Sequence, residues 1–116
     1  MRCAAASILC LAALSILPAR AAGTAHDWRV IDSEEFRQGF VAGIASYLLD
    51  VAGGAAERAG YAECLAGRTD RSLLDVVDDY MDRHPESGGF APAAATMLAL
   101  GELCAADMPR QPQMPQ

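Results

Sequence analysis

Phe36-Arg37-Gln38-Gly39-Phe40-Val41-Ala42-Gly43-Ile44-Ala45-Ser46-Tyr47-Leu48-Leu49-Asp50-Val51 predicts one long helix. Phe36, Phe40, Ile44, Tyr47, Leu48 and Val51 recur at steps of three and four, the spacing that lines side chains along one helix face. Gly39, Ala42, Gly43 and Ser46 form a flatter stripe beside them. A glycine inside a helix costs about 1 kcal/mol relative to alanine. Gly39 and Gly43, with Phe36 and Phe40, therefore predict close packing against a second helix, from the same chain or from a second copy. Asp32 or Ser33 supplies the N-cap, with Glu35 as capping-box partner to Asp32, and the pair Gly53-Gly54 marks the end.

Downstream, residues 55–68 carry no clear period and read as loop with a possible short helix. Thr69 caps the next helix, whose apolar positions Leu73, Leu74, Val76, Val77, Tyr80 and Met81 keep helical register. Pro85 closes it, because the residue before proline is pushed out of the α region. After a glycine turn, Pro92 suits the first turn of another helix, carrying Ala93, Ala94, Ala95, Met97, Leu98, Leu100, Leu103 and Cys104. No segment alternates with the period of two that marks a half-buried strand. The expected fold is all-α, a bundle of three to four helices over residues 33–106, preceded by a flexible leader (22–32) and followed by a disordered Pro/Gln-rich tail (107–116).

The first 21 residues read as a signal peptide. Met1-Arg2 gives a positive start, an apolar run to Leu17 is too short for a membrane anchor, and small residues end at Ala21. Leu9 is too large to precede a lipid-modified Cys10. Cleavage after Ala21 leaves seven arginines, no lysine and fifteen carboxylates, a net charge of about −8. That balance excludes nucleic acid as the expected partner and disfavours anionic membrane surfaces, while permitting a basic protein. Of four cysteines only Cys64 and Cys104 remain, in an oxidising setting where they are expected to pair. Closing a loop of about 41 residues is worth roughly 4 kcal/mol in the chain-entropy view. A zinc site would need two more ligands, and only His26 and His84 remain to supply them.

No G-x-S-x-G elbow, H-E-x-x-H pair or glycine-rich phosphate loop is present. His84 is the one candidate base in the ordered part, with Ser72 and Ser87 as conceivable nucleophiles, yet a histidine ending a helix before proline reads first as a dipole partner. Asp75, Asp78, Asp79 and Asp82 fall within two turns of one helix. They form a solvated face or a docking surface for a basic partner; a calcium site would also need backbone carbonyls and a glycine turn. Two loops, residues 53–68 with Tyr61 and residues 84–90 with His84, Glu86 and Phe90, are further contact candidates, each aromatic being core or contact. No cofactor or metal site is expected.

The pattern Phe36-x-x-Gly39-Phe40-Val41-x-Gly43-Ile44, then Cys64-Leu65, then Thr69 ahead of Val76-Val77-x-x-Tyr80-Met81-x-x-His84-Pro85-Glu86, closing on Cys104, resembles the Rap/Tai immunity proteins, periplasmic antidotes to type VI secretion amidase toxins. The likeness spans residues 36–104 and departs at Ala66, Ser72 and Leu103. It implies an all-helical, often dimeric periplasmic protein that covers the cleft of a peptidoglycan-cleaving amidase and performs no catalysis. An alternative is a periplasmic acid-stress chaperone similar to HdeA, also small, helical and held by one disulfide. Protein recovered from an envelope fraction is expected to begin at Ala22 and to lack two hydrogens at its cysteines, which intact-mass measurement reads directly.

Overall fold

A computed structural model describes residues 23–110; the stretch read as a signal peptide (1–21) and the tail beyond residue 110 lie outside them. Five α-helices and two 3-10 turns follow one another: α1 (Ala25–Ile31), α2 (Glu34–Asp50), α3 (Ala55–Leu65), α4 (Asp70–Arg83), η1 (Pro85–Gly89), α5 (Pro92–Cys104) and η2 (Ala105–Asp107). The described residues contain no strand. None of their helices is long and apolar enough to cross a membrane.

The centre of the bundle is α4. Its start is fixed by a capping box in which the Ser72 N–H donates to Thr69 Oγ1 (3.1 Å) and the Thr69 N–H donates to Ser72 Oγ (3.0 Å), satisfying donors that a helix start leaves orphaned. Its apolar stripe then buries Leu73, Leu74, Val77, Tyr80 and Met81. It packs most extensively against α2 and α5. The alanine-rich α5 contributes Ala95, Ala99, Leu100 and Cys104, all shielded from solvent. Thr96 is also buried there, its hydroxyl donating to the Pro92 carbonyl at 2.8 Å.

Three expectations change and one, the choice between Asp32 and Ser33 as cap, is narrowed. The leader holds a helix, since Thr24 Oγ1 accepts from the Asp27 N–H (3.2 Å), the Ala25 N–H donates to the Phe90 carbonyl (2.7 Å), and Trp28 is buried. Seven residues are too few to display a period. Residues 55–65 are helix as well, starting after Gly53, whose φ of +63° is the left-handed conformation that glycine tolerates. The tail does not begin at 107, because Met108 packs on the core and a Cβ at Gly60 would sit 2.6 Å from the Asp107 carbonyl oxygen. In α2 the cap is Ser33, which accepts from the Phe36 N–H at 3.2 Å.

The face of α2 is also turned from its expected direction. Val41, Ala45 and Leu48 are buried, Phe40 and Ile44 partly so, whereas Phe36 is 57% exposed, Tyr47 45% and Val51 65%. A Cβ at Gly39 or at Gly43 would meet nothing within 4 Å, so no helix among the described residues makes the close approach that the glycines predicted. The physical reason is that α2 is apolar nearly all round, and the periodicity of such a helix does not say which side is inward.

The cysteines do pair. Cys64, in the last turn of α3, bonds Cys104 at the end of α5 with Cα atoms 5.5 Å apart. Glycine replacement separates the close contact from the open ones. Gly60→Ala is expected to lower stability by about 1–3 kcal/mol through overpacking, while Gly39→Ala and Gly43→Ala in the monomer raise it by about 0.5–1 kcal/mol each; thermal unfolding of the three variants decides this.

Candidate functional site

The four aspartates of α4 divide into two groups. Asp78 and Asp82 pair with arginines of neighbouring helices, Asp78 in a partly shielded position and Asp82 at the surface. Arg29 of α1 reaches Asp82 at 2.6 Å and Asp78 at 3.4 Å, and Arg37 of α2 donates to both Asp78 oxygens at 3.0 and 3.3 Å. The Arg37 and Asp78 side chains are only 13% and 25% exposed. Asp78 is thus a junction of three helices rather than an open docking residue. The Arg37 guanidinium also lies 5.4 Å from the centroid of the Trp28 ring, which stands 5.5 Å from that of Phe40. A cation over an indole face adds attraction. Two buried donors there, Trp28 Nε1–H and Arg37 Nε–H, meet no acceptor, so the anchorage of α1 carries an unsatisfied component.

Asp75 and Asp79 face the other way, towards α5. With Val76 and Arg83 they line one side of a groove of about 340 Å³, opposite Ala99, Glu102 and Leu103. Arg83 bridges it, its Nε 2.9 Å from Asp79 and its Nη1 2.6 Å from Glu102. The second Glu102 oxygen lies 3.2 Å from His84 Nε2, and His84 Nδ1 is 3.4 Å from Glu86. The imidazole stacks at 4.3 Å on Tyr80. His84 therefore acts as the C-terminal cap residue of α4 and as a bridge to α5, and no serine is hydrogen-bonded to its ring. Ser87, buried, donates instead to the His84 carbonyl at 2.6 Å. Arg71, four residues before Asp75, pairs instead with Glu34 of α2 at 3.1 Å.

The remaining candidates are dispersed. Tyr61 is partly buried on α3 and packs against the core, and Phe90 is 37% exposed just after η1. Neither of the two lines the acidic groove. Arg29, Arg37, Glu102 and the apolar floor of Val76, Ala99 and Leu103 were not singled out in the sequence. Partners more than 40 positions apart, as Arg37 and Asp78 are, leave no local signal. Among the described residues no group of three or more His, Cys, Asp or Glu side chains is arranged to hold a metal ion.

Electrostatics follow the ion pairs. The hydrogen bond from Arg29 holds the Asp82 carboxyl below its ordinary range against a small opposing effect of burial, and Arg83, aided by His84, does the same for Glu102. Arg29 and Arg83 are raised in return, chiefly by the hydrogen bonds to Asp82 and to Glu102 and Asp79. No family model, curated protein or solved structure matches the chain.

A carboxylate whose pKa is depressed on folding adds stability above its unfolded value and loses it as pH falls through the folded value. Acidification below about pH 4, the ordinary carboxylate range, is therefore expected to loosen α1 and shift the emission of Trp28, the only tryptophan, to longer wavelength. Asp78→Asn, which strands Arg37, is expected to cost about 1–3 kcal/mol at neutral pH, between the values for exposed and fully buried pairs, and to move the Trp28 transition to higher pH.

Proposed function

We propose that this chain is a periplasmic immunity protein, which binds a peptidoglycan-cleaving amidase of a type VI secretion system and covers its catalytic cleft. The observation that carries the reading, as that of a dimeric binding protein, is the uncovered face of α2, where Phe36, Tyr47 and Val51 stand in solvent beside the open glycines 39 and 43. An apolar face of this kind on a small exported domain is a surface for association with protein. The disulfide between α3 and α5 supports the same reading, because a bundle already held rigid gives up little conformational freedom on binding. The likeness of residues 36–104 to the Rap/Tai pattern names the class of partner. In this reading a second copy packs on α2 through Gly39 and Gly43, and the toxin meets another surface; no catalysis, cofactor, nucleic acid or membrane anchor is involved.

A second reading, an acid-activated chaperone of the HdeA type, has one specific observation in its favour. Helix α1 is pinned by the pair of Arg29 with Asp82, whose carboxylate is neutralised in acid, and its release would uncover the site of Trp28. The two readings part cleanly. Oxidised mature protein is expected to bind a catalytically inactivated amidase encoded beside its own gene with Kd below about 1 μM, roughly −8 kcal/mol, at neutral pH. It is not expected to protect client proteins from aggregation in acid. Calorimetry and a light-scattering assay check both, and a neighbouring amidase that fails to bind at micromolar concentration removes the immunity reading.

A further inference from the structure

The groove between α4 and α5 is unevenly charged. Three carboxylates, Asp75, Asp79 and Glu102, face a single guanidinium, that of Arg83. Arg83 is already shared between Asp79 and Glu102, and Glu102 is further held by His84. Asp75 takes part in no salt bridge within the described residues, and it stands one helical turn before Asp79, where like charges repel. Beneath this rim the walls are Val76, Ala99 and Leu103. Leu98, one turn before Glu102 on α5, is 48% exposed. An apolar trough closed at one edge by an unpaired carboxylate matches a side chain with an aliphatic stem and a cationic head.

We infer that this groove is the seat of an arginine side chain presented by a protein partner, its stem lying on Val76, Ala99 and Leu103 and its guanidinium meeting Asp75 and Asp79. Arginine suits the place better than lysine, because a planar guanidinium is weakly hydrated, tolerates an apolar wall and grips a carboxylate with two parallel donors. The volume falls within the range of about 300–1,000 Å³ usual for built pockets. Among the described arginines none besides Arg83 lines the groove. Arg29, Arg37, Arg71 and Arg83 are in ion pairs, and Arg58 and Arg68 donate to the carbonyls of Gly53 and Cys64; Arg110 alone among the described arginines has no such bond. In identifying the partner as the amidase, the inference rests on the immunity reading. The chemistry of the seat does not.

Two measurements test it on the mature, disulfide-bonded protein. In the first, Nα-acetyl-L-arginine amide and its neutral analogue Nα-acetyl-L-citrulline amide are titrated while NMR follows the backbone amides and methyl groups. Saturable shifts are expected at Val76, Ala99 and Leu103 with the arginine probe only, weakened roughly tenfold in Asp75→Asn. Equal response to citrulline, shifts located elsewhere, no saturation, or an unchanged Asp75→Asn response overturns the proposal. Because the Asp75 side chain is exposed and has no salt bridge, this variant keeps the fold, which circular dichroism verifies. In the second, binding of the neighbouring amidase is compared among wild type, Asp75→Arg and Glu63→Arg, the last placing the same charge change on exposed α3. Asp75→Arg is expected to weaken binding at least roughly tenfold and Glu63→Arg far less. If wild type and Asp75→Arg bind equally, the seat is wrong and the immunity reading stands. If wild type ignores the amidase while arginine still titrates the groove, the immunity reading falls and the seat stands.

Discussion

One carboxylate, that of Asp78, joins three helices. It receives Arg37 from α2 and Arg29 from α1, and through those two arginines it sets where Trp28 lies and therefore how α1 covers the bundle. Such an arrangement makes sense in a domain with so little apolar mass. The largest fully buried side chains are Leu74, Leu100, Val41 and Val77, and alanines fill much of the rest. A core of that size gives limited stabilisation on its own, so directional contacts and a covalent link do more of the work of holding one arrangement. The partly shielded position of the pair also keeps it less screened by salt than a surface pair would be.

The same residue shows why sequence alone leaves the acidic stripe undivided. Asp75, Asp78, Asp79 and Asp82 look alike in sequence, and spacing places them on one region of a helix. Their roles are decided by what α1, α2 and α5 bring against them, and the helix itself holds no record of that. Arg83 four residues after Asp79 is legible because it is local, and the structure forms it. Arg71 four residues before Asp75 is equally plausible on local grounds, yet it turns to Glu34.

Elements with strong patterning were readable: the amphipathic α4, its Thr69 cap, the closure at Pro85 and the two-cysteine link. Elements without it were not. Helix α1 is too short to display a period, and α3 is broken by Gly60, whose absent side chain admits the Asp107 carbonyl. For α2 the helix was legible and its orientation was not, since apolar residues occur on both sides. Its two glycines face open space among the described residues, which no spacing in the sequence could announce. The groove was invisible for a different reason, as Val76, Ala99 and Leu103 are ordinary apolar residues until two helices cross.

Cys104 is wholly shielded at the end of α5, and its partner Cys64 is only partly accessible. The Cys104 thiol is out of reach of an oxidising enzyme once the last helix has docked, because exchange requires an attacking sulfur to approach in line. In the docked bundle any exchange must accordingly enter at Cys64, with Cys104 closing or leaving the bond from inside. The cross-link thus has one outward and one inward sulfur, and oxidant and reductant alike meet the outward one.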